Sequence, residues 1–261
     1  MTKALGNKEL WLAALRADGP ATRSAFIQAA GSEAGLSAEV PPCPGWQVRD
    51  LVHHLGRIYH WVRSHAGRGV TTPPPQLRAA DLPVERPPDP ALLDWWEREF
   101  QQLLALLEGL DPVAPAWHWA PAPKLAGFWH RRIAHETAVH RWDAQMAVGQ
   151  AEPIETRLAT DGVAEVLDSW LPAGRQKGPT DRTGMVQLVA TDAGHEWFVR
   201  LRGAGVALLD TDTWLDHDDH GTRVAARGTA SDLLLALYGR VGFDVLDLSG
   251  DASLLESLRT G

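Results

Sequence analysis

The chain has 261 residues, enough to bury a large core as one big domain or two of ordinary size. A formal net charge of -8 argues against a broad basic footprint, so no nucleic-acid partner is expected. Its single cysteine, Cys43, excludes an internal disulfide framework and any multi-cysteine zinc site, leaving histidine and carboxylate side chains as the metal ligands available.

The opening stretch MTKALGNKELWLAALRADG is interrupted by Asn7, Lys8, Glu9, Arg16 and Asp18 and lacks the apolar run of a signal peptide. No later run reaches membrane-spanning length, so a cytoplasmic protein without a membrane partner is expected. Apolar positions Leu12, Leu15, Phe26 and Ile27 predict a first helix over 8–30, with a break or kink at Gly19-Pro20. PPCPGW closes a loop, in which Cys43 reads as a small packing residue. A second helix is predicted over 48–65, with Trp46 placed to staple onto Leu51 and Gln47, a weak cap, preceding it.

Residues 71–90, TTPPPQLRAADLPVERPPDP, carry too many prolines for regular structure and read as an extended crossover. A third helix over 91–110 and a Pro/Trp loop, PAWHWAPAP, lead to a fourth helix over 125–148 that stops at Gly149. Four helices with one long connection predict a four-helix bundle over residues 1–150. Residues 151–261 change texture. A helix over 155–170 is followed by the strand-like runs MVQLVATD, EWFVRLR and TRVAARG, then by helical SDLLLALYGR and ASLLESL, which together predict a small α+β domain. HDDH, residues 217–220, holds metal-type side chains but precedes Gly221 between strands, so it reads as a solvated turn.

The string HRRIAHETAVHRWD, residues 130–143, concentrates titratable groups without matching H-E-x-x-H, because His140 falls one residue too late. At about 100° per residue, Glu136 and His140 lie about 40° apart on a helix, whereas His135 and His140 lie about 140° apart. Trp129, Ile133, Glu136 and His140 therefore share one stripe, from which His130 and His135 fall away to positions outside the core. On the second helix Leu51, His54, Ile58 and Trp61 share the apolar face, while Arg49, His53, Arg57 and His60 form the polar one. A glutamate on an apolar face needs compensation, from a divalent metal shared with His54 and His140 or from an arginine. Asp143, seven residues after Glu136, is placed to accept a hydrogen bond near the same face.

PCPGWQVRDLVHHLG together with WHRRIAHETAVHRWDA resembles the two signature stretches of the mycothiol-dependent maleylpyruvate isomerase family, within the DinB-like metal-binding superfamily. GTASDLLLALYGR and LSGDASLLESL are similar to that family's C-terminal domain. The resemblance implies a mainly α protein, with a DinB-like four-helix bundle followed by a sterol-carrier-like α+β domain. It also implies a metal triad of His54 in D-L-x-x-H and Glu136 and His140 in E-x-x-x-H, most naturally zinc, with an open position for water or for the thiol of mycothiol.

The activity implied is mycothiol-dependent cis-trans isomerisation of a small unsaturated acid, or transfer of the thiol to an electrophile. Arg240 in LYGR matches the family's active-site arginine, suited to clamping a carboxylate; its other reading is a cation at a helix C-terminus. Two rival functions use the same chain. One is a metal-dependent hydrolase activating water at the triad; the other is a noncatalytic small-molecule binding protein.

Overall fold

The computed structural model describes residues 8–203, 205–209 and 222–260. Four long helices come first: α1 (Lys8–Ala30), α2 (Val48–His65), α3 (Asp89–Gly109) and α4 (Gly127–Ala147). α1 packs on α3 and α4, and α2 packs on the same two partners, which closes a four-helix bundle. The second part holds α5 (Thr156–Glu165), β1 (Thr183–Ala190), β2 (His195–Arg202), β3 (Val206–Leu209), β4 (Arg223–Gly228), α6 (Ala230–Leu237) and β5 (Asp247–Gly250). The fold is therefore mainly helical, with an N-terminal bundle and a C-terminal α+β part. Contacts divide the chain into two compact units, the described residues up to Trp119 with Pro123–Glu152, and Ala120–Ala122 with those of Pro153–Gly261. Among the described residues no helix is long and apolar enough to cross a membrane.

The bundle core is strongly aromatic. Trp11, Tyr59 and Trp96 are each 0% exposed, and Trp96 stacks on Phe100 at 5.6 Å while meeting Phe26 edge-on at 5.3 Å. Fully burying one such side chain contributes about 1.5–3 kcal/mol. Gly19-Pro20, expected to break or kink the first helix, does not break it: both residues lie inside α1. The Phe100 ring occupies the space beside Gly19, where a Cβ would sit 2.1 Å from it. The glycine is a packing requirement there, and the helix continues around it.

α4 overturns a second expectation. Every residue from Ala126 to Gln145 is buried except Glu136, which is partly exposed. His130 and His135, assigned to positions outside the core, are both 0% exposed. With cover on all sides, leaving the apolar stripe moves a side chain to another packed face, not into water. The polar groups on α4 accordingly carry partners. His130 meets the carbonyls of Leu107 at 2.8 Å and Ala126 at 3.0 Å, and Arg141 Nε lies 2.8 Å from Asp18 Oδ1.

In the second unit a five-stranded sheet runs β3-β2-β1-β4-β5, with β1 and β4 parallel and the other neighbours antiparallel. The run expected as a final helix, ASLLESL, is a 3-10 helix over Ala252–Leu258, and α5 widens into a π turn over Val166–Trp170. HDDH lies outside the described residues.

Candidate metal centre

The loop before α2 is tied down by its own backbone. Val40 N–H donates to the Trp46 carbonyl and Trp46 N–H to the Cys43 carbonyl, both at 2.9 Å. Asp50 Oδ2 then accepts from Gln47 N–H at 3.0 Å, which gives the weakly capped start of α2 a carboxylate partner. Trp46 is thereby held with its ring 5.0 Å from that of His54 and stacked at 6.5 Å over that of His140, so it roofs both imidazoles.

α2 and α4 pack against each other, and this contact brings His54, Glu136 and His140 together. Their ligand atoms lie within 4.8 Å of one another, the one such cluster of metal-type groups among the described residues. His54 Nε2 is 3.2 Å and His140 Nε2 3.3 Å from the same carboxylate oxygen, Glu136 Oε1. The other oxygen, Oε2, accepts from Arg132 at 2.5 Å. Of the two compensations left open by the sequence, the arginine is present on one oxygen, and the other oxygen faces two imidazoles.

His140 is oriented from behind. Its Nδ1 lies 2.7 Å from Asp143 Oδ2, and Cys43 Sγ also reaches that oxygen at 3.4 Å. When Nδ1–H donates to Asp143, the neutral ring turns a lone pair on Nε2 toward Glu136 Oε1. Two acceptors 3.3 Å apart require a cation between them, either a proton or a metal. A tetrahedral shell with bonds of about 2.0–2.1 Å has edges of about 3.3 Å, which the two distances from Glu136 Oε1 match, so the donor set fits zinc.

The electrostatics have the same sense. Burial works against the charged form of Glu136, but the Arg132 charge and the hydrogen bonds from His140 and His54 outweigh it and hold the carboxyl well below its usual range. Burial likewise opposes protonation of His140, yet the hydrogen bonds to Asp143 and Glu136 raise it.

A cleft of about 260 Å³ adjoins the centre, lined by Trp46, Asp50, His53, His54 and Arg57 together with the Ala79–Ala80 segment. His53 and Arg57, read from sequence as parts of a polar outer face, thus share this cleft with His54. Arg240 belongs to the second unit, where it follows Gly239 (φ +68°) and donates from Nη1 to the Tyr238 carbonyl at 3.0 Å. Three site residues escaped the sequence reading. Arg132 was detectable as the i-4 neighbour of Glu136, whereas the roofing position of Trp46 and the Cys43 contact with Asp143 arise only from the folded loop.

Residues 10–145 match the family model described as the mycothiol maleylpyruvate isomerase N-terminal domain. The crystal structure of the mycothiol-dependent maleylpyruvate isomerase superposes with a TM-score of 0.56 at 16% identity, covering 93% of this chain and 92% of that one. That of a histidine-to-alanine mutant of the isomerase gives 0.55 at 16% identity, with coverage of 93% and 92%. At such identity these two likenesses are of fold. No curated protein matches the sequence significantly. The family model spans just over half of the residues and includes His54, Glu136 and His140, and on that ground this chain belongs to the mycothiol maleylpyruvate isomerase family.

Proposed function

We propose that the protein is a metal- and mycothiol-dependent enzyme acting on a small unsaturated acid, with His54, Glu136 and His140 as the metal ligands. The observation that carries this reading is Glu136 Oε1, set 3.2 and 3.3 Å from two imidazole nitrogens, one of them on a ring oriented by Asp143. Zinc held by these three residues would supply Lewis acidity that keeps a thiol ionised near neutral pH.

The remaining work belongs to the chain and the thiol. Asp143 holds the His140 tautomer, Arg132 balances the Glu136 charge, and the Trp46 ring lies against both imidazoles. A thiolate adds to the conjugated double bond, forming a C–S bond while the π pair moves to the conjugated carbonyl oxygen. After rotation about the resulting single bond, the pair returns and the C–S bond breaks. This consumes no proton and no oxidant. If the adduct is protonated on carbon instead, the same addition ends as S-transfer. Arg240 is proposed, on the family resemblance, as a carboxylate-binding residue; Arg240→Ala should lower turnover more than metal content.

The test uses protein isolated without chelators and loaded with cobalt. Titration with mycothiol should produce a sulfur-to-metal charge-transfer band, and mixing with mycothiol and maleylpyruvate should yield the trans isomer or a thioether. Absence of the band with cobalt bound would favour the water-activating hydrolase.

A further inference from the structure

Arg57 stands three residues after His54 on α2 and lines the same cleft. Its Nη2 donates to the Ala79 carbonyl at 2.8 Å, which anchors the guanidinium against the crossover. Its Nε–H is buried without an acceptor, and among the described residues no carboxylate forms an ion pair with Arg57. The acids around it are engaged elsewhere. Asp50 accepts from Arg86 at 2.8 Å and from Gln47 N–H at 3.0 Å, while Asp81 accepts from Arg78 at 2.8 Å.

His53 lines the same cleft. Beside His54 the cleft thus presents a guanidinium held by one backbone carbonyl and, among the described residues, paired with no carboxylate. Its volume of about 260 Å³ lies below the range of about 300–1,000 Å³ typical for drug-sized ligands, which suits a small acid.

We propose that Arg57 binds a carboxylate of the substrate acid and so holds its conjugated bond beside His54. The sequence reading gave this residue no role. The inference rests on the function proposed above, and it extends that function by assigning an anion-recognising residue within the bundle, independent of Arg240. A guanidinium binds a carboxylate through charge-assisted hydrogen bonds, which are stronger than neutral ones.

The probes are maleate and its uncharged dimethyl ester, titrated by ligand-observed NMR against metal-loaded and chelator-treated protein. Arg57→Gln should weaken maleate binding about 10- to 100-fold and leave the ester unchanged, while Arg57→Lys should recover part of the loss. The ester separates recognition from cleft shape: equal weakening of both probes means that Arg57 only props the crossover, and the proposal falls. It falls equally if Arg57→Gln binds maleate as the wild type does, or if maleate fails to bind the wild type. Metal content measured on the same samples separates the two readings. A protein that takes up no metal but binds maleate through Arg57 refutes the metal centre and retains this inference.

Discussion

Asp143 Oδ2 lies 2.7 Å from Nδ1 of His140, on a carboxylate with a 0% exposed side chain. A buried acid three residues along the helix thus decides which nitrogen of His140 faces Glu136. Asp143→Asn removes the charge while keeping the shape, and an amide can present its NH₂ to Nδ1 and favour the wrong tautomer. Zinc affinity should fall about 10- to 100-fold, the range for changes behind a metal ligand. Competition with a chromophoric chelator measures it; unchanged affinity would remove Asp143 from the site.

His54→Ala, Glu136→Ala and His140→Ala should each abolish tight metal binding, since each removes one of three proposed ligands. His53→Ala should keep the metal. His135→Ala should also keep it but destabilise the protein by roughly 1–3 kcal/mol, because this imidazole is 0% exposed. Metal content and urea denaturation of the five variants provide the comparison, and loss of metal in His53→Ala with retention in His54→Ala would overturn the ligand set.

The sequence was most legible where one helix face is apolar and the other wet. α1 and α2 alternate in that way, and periodicity locates both helices, although on α2 the expected inward His54 and Ile58 are only half-buried, because the core side runs through Leu55, Tyr59 and Val62. α4 has no wet face from Ala126 to Gln145 apart from Glu136, so periodicity could rank its stripes but could not tell inside from outside for His130 or His135. β3 and β5 span four residues each, too few for an alternation to register. The site was legible as separate faces; the partners of its second carboxylate oxygen and the Trp46 roof depend on how the helices and the loop pack.

Acid should destabilise the fold before the carboxylates titrate. His65, ringed by Trp61, Trp117 and Trp129, and His118, stacked on Phe128 at 4.1 Å, are both pushed down to about 4 by burial. With folded values below the ordinary 6.5, the unfolded chain takes up protons first as the pH falls. The stability from keeping these rings neutral is complete above about pH 6.5 and is lost progressively toward pH 4. Tm should therefore fall between pH 6.5 and 5, and His65→Gln should flatten the slope. NMR titration placing both histidines near 6.5 would refute the account.

In the proposed centre Arg132 and a metal would compensate the same carboxylate, so removing one should reveal the other. Arg132 Nη2 lies 2.5 Å from Glu136 Oε2, with both side chains largely buried. Arg132→Met keeps the apolar stem and deletes the charge; in chelator-treated protein this should cost about 3–5 kcal/mol, because a buried carboxylate loses its strongest partner. Added zinc should restore more stability to Arg132→Met than it adds to the wild type, since the ion then meets a carboxylate with no competing cation. Adding Glu136→Gln should erase both the cost and the rescue, as expected for groups acting through one carboxylate. Thermal melts of the wild type, both single variants and the double variant, with and without zinc, measure the coupling. If zinc stabilises none of them while Arg132→Met still loses stability, Glu136 is only half of an ion pair and the metal centre is refuted.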